Sequence, residues 1–290
     1  IPKRPKMIDR WLRMHLFARR FENTYADFCK RLGVTDSDFP PKALARSDER
    51  QMGMGPYLGQ PDKYTVLMFA KKSSCGHYTK TFLDQITENA IRHNFSDRGS
   101  LSYITCAEFA EGGLTNDSAL HCEAVFNIVH GLIDGFRYYT HNAPHWFRQG
   151  LAHWYLRRVN PKHNVYGEYK RFDADPKMLW NWAPRVRARA RYDHFPPAAE
   201  MLTWGWEDEK TLVDSMMVWS RVDYLMSLGD EPFAKFLTLM KGPIPMVGLM
   251  PTKQEILTRQ TFALEQAWGL DAQSFDERWK AWVIAEYPKK

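Results

Sequence analysis

Two neighbouring segments decide the fold of this chain: His121-Cys-Glu-Ala-Val-Phe-Asn-Ile-Val-His130 and Pro144-His-Trp-Phe-Arg-Gln-Gly-Leu-Ala-His-Trp-Tyr155. The Thr-Asn-Asp-Ser run at residues 115–118 offers N-cap side chains for a first helix that continues to residue 136. Pro144 suits the first turn of a second helix, residues 144–158. Because the link between them is short, we expect the two helices to pack directly on each other, antiparallel or steeply crossed.

Upstream of this pair, the sequence predicts an N-terminal α+β part with a small sheet. Apolar residues recur every three or four positions over residues 8–32, which is typical of an amphipathic helix, and Gly33 ends it. Residues 64–70 and 101–106 are rich in β-branched and aromatic side chains and predict strands. A further helix is expected over residues 78–93.

Downstream of the pair, the sequence predicts a mainly helical C-terminal part. Residues 161–197 are expected to be irregular and basic. Helices are expected over residues 210–228, 232–240, 253–268 and 274–285. We therefore predict a mainly helical α+β protein that forms one compact unit with three parts, residues 1–113, 114–160 and 161–290.

The composition argues against a disordered chain and against a membrane span. Hydrophobic residues make up 44% of the 290 residues and aromatic residues 14%, which is enough for a large core. The best apolar run, residues 122–136, is interrupted by Glu123, Asn127, His130 and Asp134, so no segment reaches the ~18 to 20 apolar residues of a spanning helix. The chain is expected to be soluble, and its net charge of only +6 does not indicate nucleic acid as a partner.

The cysteines and the N-terminus bear on the cellular compartment. Cys29, Cys75, Cys106 and Cys122 contain no C-x-x-C pair, so a zinc ribbon and a thioredoxin-type motif are excluded, whereas one or two disulfides are compatible with the spacing. The chain starts at Ile1 rather than Met, which fits a processed protein and favours an extracytoplasmic location after signal removal. The oligomeric state is left open.

The helix pair carries a resemblance to a known family. The sequence has no G-x-S-x-G, no phosphate loop, no G-x-G-x-x-G and no H-E-x-x-H. The pair nevertheless resembles that of the gluzincins, the thermolysin-like zinc peptidases. It is most similar to the peptidase-MA-like domains of an uncharacterised bacterial family, in which H-E-x-x-H is followed by P-x-W-x-x-E-G-L-A-x-Y. The matching residues on the second helix are Pro144, Trp146, Gly150, Leu151 and Ala152, and Tyr155 follows one position later than the tyrosine of that pattern.

The resemblance covers most of the chain and implies a gluzincin-like fold in which the zinc motif is lost. It places the zinc ligands at Cys122, Phe126 and Gln149 and the general base at Glu123, so only the base position is kept. It also implies that Glu123 and Gln149 face one another across the helix contact. Phe126 cannot coordinate a metal, and Gln149 is a neutral amide where the family has a carboxylate.

The function expected from this resemblance is that of a pseudopeptidase without a cofactor. Such a protein would act as a protein-binding or complex-assembly scaffold, and Glu123 would be a vestigial base. The sequence alone also allows plain structural roles: Cys122 and Phe126 as core residues, Glu123 as a structural carboxylate, and Gln149 as a hydrogen-bonded interior amide.

The alternative function is an active hydrolase with an unconventional or displaced zinc site. His130 and His153 lie one helical turn beyond Phe126 and Gln149, and Asn127 or Glu123 would complete such a site. In an antiparallel pair, however, both histidines shift away from each other. We therefore expect that no metal is shared by His130 and His153, and that their ring nitrogens are separated by more than the ~4 Å that two zinc bonds span.

An arginine run is the remaining candidate site. Arg185, Arg187, Arg189 and Arg191 alternate with small residues, so an extended segment would present four guanidinium groups on one side, suited to an anionic partner. A helix would spread them, and internal salt bridges are the other interpretation. Either this run or the basic N-terminal helix is expected to contact an acidic protein surface, and nucleic acid is not expected because few aromatic residues accompany the arginines.

Overall fold

The architecture is described by a computed structural model for residues 8–39, 53, 55–95, 100–107, 109, 114, 116–165, 180–205, 211–242 and 251–289. Within these residues the chain is mainly helical with a small sheet, which confirms the predicted α+β class. The elements are α1 Arg10–Leu32, β1 Thr65–Phe69, α2 Lys72–Leu83, β2 Ile91–Phe95, β3 Ser100–Cys106, α3 Asp117–Gly135, α4 His145–Val159, α5 Trp182–Arg191, α6 Ala198–Met201, α7 Leu212–Ser227, α8 Asp230–Met240, α9 Lys253–Trp268 and α10 Ala272–Glu286.

The sheet has the strand order β1-β3-β2, with β1 parallel and β2 antiparallel to β3. A parallel neighbour requires a crossover, and α2 supplies part of it. Cys75 of α2 packs with Ile91, Ile104 and Cys106 on one face of the sheet. Because strand side chains alternate, Tyr103 and its neighbours across the sheet point to the opposite face, where α3 lies.

The prediction of one helix over residues 78–93 is wrong. The helix begins earlier, at Lys72, and ends at Leu83, because Asp84 takes the left-handed conformation with φ 52° that closes it. Residues Ile91–Phe95 then form β2, at the edge of the sheet. This strand carries Arg92, His93 and Asn94, so its sequence lacks the apolar alternation that would have marked it as a strand.

The helix pair forms as predicted, and α3 packs directly on α4. Asn116 caps α3 by accepting a hydrogen bond from the backbone N–H of Ala119 at 3.0 Å. On its other side α4 packs on α7. Gly150 allows the two helices to approach closely, because a Cβ atom at this position would lie only 2.5 Å from the carbonyl oxygen of Val218. The pair is thus held between the sheet layer and the C-terminal helices.

The irregular structure predicted for residues 161–197 is wrong at its C-terminal end, where α5 forms. Trp182, Val186 and Ala190 are four residues apart, and all three are fully buried on one side of this helix. Alanine and arginine are strong helix formers, which favours this conformation over an extended one. Among the described residues, no helix combines the length and apolar character needed to cross a bilayer.

Candidate functional site

Helix α3, which is mostly apolar, carries a stripe of buried polar side chains on one face. Glu123, Asn127, His130 and Asp134 are spaced by four, three and four residues and therefore share one face. All four are buried, and the Asn127 side-chain amide donates to the backbone carbonyl of Glu123 at 3.0 Å. Buried polar groups on a packed helix need partners, so this stripe is where a functional site is best sought.

The residues at the three positions of the zinc pattern do not fit a catalytic zinc. Cys122 is fully buried, burial raises the pKa of its thiol to about 12, and it offers a single soft sulfur ligand where the pattern has a histidine. Phe126 has no donor atom, and its ring is 1% exposed. Gln149, on α4, is half-buried and offers only a neutral amide. The structure places Cys122 and Phe126 in the main core cluster.

The displaced candidates His130 and His153 both pack on Phe126. The centroid of each imidazole lies 4.9 Å from the centroid of the Phe126 ring, and His153 is also 4.9 Å from Trp182. Burial lowers the pKa of His153 to about 3 and the pKa of His130 well below its ordinary value, so both rings are neutral at pH 7. Within the described ranges, no three His, Cys, Asp or Glu side chains are arranged to hold a metal ion. The separation that we expect between the ring nitrogens of His130 and His153 stays a prediction.

Glu123 lies in the buried stripe, 7% exposed, one turn before Asn127. The helix that carries it, α3, packs directly on α4. The apposition of Glu123 and Gln149 themselves stays a prediction.

A cavity of about 330 Å³ lies between the sheet and α3, and sequence reasoning did not predict it. Val66, Tyr103 and Arg92 are register partners in β1, β3 and β2, and they form one wall. Asn127 and Gly131 of α3 belong to the opposite wall. The cavity therefore adjoins the polar stripe rather than the positions of the zinc pattern.

A buried ion pair forms part of the cavity lining. The Arg148 Nη2 atom of α4 donates to Asp134 Oδ2 of α3, and His141 Nδ1 lies 3.6 Å from the same oxygen. The Lys241 ammonium donates to the carbonyl oxygens of Asp134 at 2.6 Å and Thr140 at 3.1 Å. Burial opposes ionisation of Asp134, but the charge of Arg148, with His141 and Lys241, lowers its pKa below the ordinary value. Asp134 is therefore a carboxylate at neutral pH.

Arg92 brings a second guanidinium group to the same cavity. Its Nη1 atom donates to Asn127 Oδ1 at 2.7 Å, which joins the edge strand β2 to the stripe of α3. Burial, followed by the nearby charge of Arg148, lowers the pKa of Arg92 to about 10, so the group stays cationic at neutral pH.

Some of the residues that line this cavity could be recognised from the sequence, and others could not. Asn127 and Asp134 stand out as polar residues in an apolar run, and their spacing indicates one helix face. No comparable signal marked Arg92, because its segment was predicted to be helical. Arg148 lies in the matched pattern, but the pattern assigns it no role.

The extended strip of four arginines does not form, because residues Trp182–Arg191 are helical. Arg187 donates twice to the carbonyl oxygen of Ile284, from Nε at 3.1 Å and Nη2 at 2.7 Å. Arg185 stacks over Trp180 at 3.7 Å from the ring centroid, Arg189 donates to the His194 carbonyl oxygen at 3.4 Å, and Arg191 lies 5.8 Å from the Tyr192 ring centroid. The guanidinium groups are thus engaged within the chain on different partners.

The four cysteines are buried thiols. Burial raises the pKa of Cys29 to about 11, above that of an exposed thiol. Neither Cys29 nor Cys122 therefore carries the thiolate character of a reactive cysteine.

Comparisons of the chain with protein-family models, with curated proteins and with solved structures give no significant match. The resemblance to the gluzincins therefore stays a prediction from the sequence.

Proposed function

We propose that this protein is a catalytically inactive metallopeptidase-like protein, a pseudopeptidase, that acts by binding a protein partner. The observation that carries the proposal is the position of Phe126. Its ring stands where the pattern has the second zinc histidine, and it is packed against His130 and His153 in the core. An aromatic ring without a ligand atom therefore packs against both histidines at this position.

Without the metal ligands the protein would not hydrolyse peptides, whereas the packing of α3 on α4 would be kept. A bound catalytic zinc would lower the pKa of its water to ~7, and a neighbouring glutamate would be the group that takes the proton. Without that Lewis acid, Glu123 has no acidified water to act on. The helix pair keeps its packing because Cys122 and Phe126 fill the interior with apolar atoms.

The first two turns of α1 are the surface that best suits a protein partner. Trp11 is 61% exposed, Leu12 50% and Met14 51%, and large apolar side chains exposed together mark an interaction surface. Arg10 is exposed on the same turns and Arg19 on the turn that follows, so the surface is also basic. A partner with apolar side chains flanked by acidic ones would complement it.

A proteolysis assay tests the loss of activity. Casein and quenched fluorescent peptides are incubated with the protein, with added zinc or with a chelator, and an active zinc peptidase serves as positive control. We expect no cleavage above background and no difference between the wild type and Glu123→Gln. Chelator-sensitive cleavage that Glu123→Gln abolishes would overturn the proposal.

An affinity capture experiment tests the binding surface. The wild type, a Trp11→Ser/Met14→Ser variant and a control Phe262→Ser variant, which removes an exposed aromatic ring from α9, are used as baits. We expect a protein that the wild type and the control retain, that the α1 variant loses, and that dissociates as salt is raised. Equal retention by all three baits would show that α1 is not the binding surface.

A further inference from the structure

Helix α5 and the turn that follows it line an open concavity on the protein surface. The lining residues are Arg185, Ala188, Arg189, Tyr192 and His194, and the concavity has a volume of about 520 Å³. The first four of these are spaced by three, one and three residues, so they share one face of a helix. Because the short side chain of Ala188 lies between two long arginine side chains, the surface is recessed at this position.

The two arginines of this α5 concavity carry positive charges that no carboxylate balances among the described residues. The Arg185 guanidinium stacks on the ring of Trp180, 3.7 Å from its centroid. Arg189 donates to the backbone carbonyl oxygen of His194 at 3.4 Å. Neither contact neutralises a charge, and like charges one helical turn apart repel each other. An anion bound between the two guanidinium groups would therefore be stabilised by both.

The stacking contact also prepares Arg185 to bind an anion. A guanidinium group that lies over an aromatic ring keeps its N–H donors in the plane of the group, where they can bind two oxygens at once. Because Trp180 already restricts this side chain, less rotamer entropy is lost when a ligand binds. The acidic residue nearest to these arginines in sequence, Asp193, is paired with Lys280 instead.

The charge and shape of the concavity favour a phosphoryl group as the ligand. A carboxylate carries one negative charge, whereas the phosphoryl group of a phosphorylated residue carries about −1.5 to −2 and has three acceptor oxygens. The recess at Ala188 is one side chain wide, so a single group that both arginines reach suits it better than two carboxylates. Since the concavity is open, it would cover a free phosphate compound on one side only. A phosphorylated protein segment would gain further contacts, for example with the Tyr192 ring, which is 75% exposed.

We propose that the α5 concavity binds a phosphorylated segment of a protein partner. The phosphoryl group lies over Ala188 and accepts charge-assisted hydrogen bonds from Arg185 and Arg189. The residues that flank it in the segment contact Tyr192 and His194. The assignment of the phosphoryl group to a protein rests on the proposed function, which is to bind a protein partner.

Fluorescence anisotropy with three labelled peptides tests the ligand class on the full chain. Each probe is a fluorescein-labelled nonapeptide of glycine and alanine with phosphoserine, glutamate or serine at its centre. We expect saturable binding of the phosphoserine peptide, about tenfold weaker binding of the glutamate peptide, no saturable binding of the serine peptide, and weaker binding as salt is raised. The proposal is overturned if the phosphoserine peptide does not bind, or if the serine peptide binds equally well.

Vesicles that contain phosphatidylinositol phosphate, and inorganic phosphate alone, distinguish the other sources of a phosphoryl group. We expect neither to bind as tightly as the phosphoserine peptide. Tighter binding of the vesicles or of inorganic phosphate would assign the concavity to a lipid headgroup or to a free anion and would contradict the assignment to a protein. These measurements involve neither proteolysis nor the α1 surface, so their failure is distinguishable from failure of the proposed function.

Variants then test the location of the site. Arg185→Gln/Arg189→Gln should weaken binding of the phosphoserine peptide at least about tenfold, because both charged donors are lost. The control Lys80→Gln/Lys235→Gln removes the same charge from exposed positions on α2 and α8 and should bind like the wild type. An equal loss in both double variants would indicate a general charge effect and contradict the site.

The exposed Ala188 offers a second pair of variants that leaves both arginines in place. Ala188→Leu should fill the recess and weaken binding at least about fivefold, whereas the small side chain of the control Ala188→Ser should leave it unchanged. Circular dichroism checks that every variant is folded, and the Ala188 pair decides the outcome if the arginine variant is not. Unchanged affinity in folded Ala188→Leu would place the phosphoryl group elsewhere and overturn the proposal.

Discussion

At the scale of single residues, Phe126 shows how the interior of the helix pair is filled. A phenylalanine in an open substrate cleft would be partly exposed, and its loss would cost little. Here the ring is 1% exposed and contacts His130 and His153. Its role in the structure is therefore to fill the core at a position where the zinc pattern requires a ligand.

Truncation of this ring should be costly. We expect Phe126→Ala to lower the free energy of unfolding by about 3 to 5 kcal/mol, because the removed ring leaves a cavity in the core. The control Phe126→Leu should cost less than about 1.5 kcal/mol. Urea denaturation measures both. A cost below about 1 kcal/mol for the alanine variant would mean that the ring is not packed as described.

Residues of the charged cavity show what sequence reasoning could and could not provide. Asp134 and Asn127 were visible as polar residues at helical spacing within an apolar run. Their partners Arg92 and Arg148 could not be predicted, because the ion pair depends on how α3 and α4 face each other and the Arg92–Asn127 hydrogen bond joins the sheet to α3. Such contacts depend on the tertiary fold rather than on local pattern.

At the scale of elements, helix boundaries with local signals were predicted well. Gly33 takes the left-handed conformation that ends α1, and residues Lys253–Trp268 form α9 as predicted, between a Thr252 capping box and Gly269. The strand β2 and the helix α5 were not predicted. β2 lies at a sheet edge, and its sequence has little apolar alternation. In α5 the arginines alternate with small residues, which suggested an extended segment, whereas the fold buries one face of a helix there.

Two glycines of α3 should respond oppositely to the same substitution. Gly131→Ala should raise the free energy of unfolding by about 0.5 to 1 kcal/mol, because alanine favours the helix and its methyl group meets only an ordinary contact. Gly135→Ala should lower it by about 1 to 3 kcal/mol, because the methyl group would clash with the Tyr64 hydroxyl and lie 2.6 Å from Leu101 Cδ1. Thermal and urea unfolding of the pair measure this. Equal effects at both positions would contradict the close approach of Tyr64 to α3.

At the scale of the whole molecule, buried histidines make folding sensitive to acid. Burial lowers the pKa of His121 to about 4, with the Arg20 charge assisting, and the pKa of His153 to about 3, while that of His130 is well below its ordinary value. The unfolded chain, with histidine pKa values near ~6.5, binds more protons below that pH. The contribution of these rings is therefore fully present above pH ~6.5 and is lost as the pH falls toward 4 and 3.

We accordingly expect these histidines to lower the free energy of unfolding as the pH falls below 6.5. Each fully titrating histidine contributes about 1.4 kcal/mol per pH unit to this fall. Urea denaturation at pH 7.5, 6.0 and 5.0 measures the slope. In a folded His153→Gln variant, the free energy of unfolding should fall less steeply with pH, by the contribution of one histidine, which is about 1.4 kcal/mol per pH unit. Stability that does not change between pH 7.5 and 5.0 would contradict the burial of these rings.

The central claim, that the helix pair has the packing of a zinc peptidase without its metal site, is tested most directly by elemental analysis. The wild type and a Cys122→His/Phe126→His/Gln149→Glu variant are incubated with zinc, freed of unbound ions by gel filtration, and analysed by inductively coupled plasma mass spectrometry. The account predicts substoichiometric zinc in the wild type and about one zinc per chain in the folded variant, because the substitutions restore two histidines and a carboxylate on α3 and α4. Stoichiometric zinc in the wild type would contradict the pseudopeptidase proposal, and a folded variant without zinc would contradict the placement of these three positions around one site.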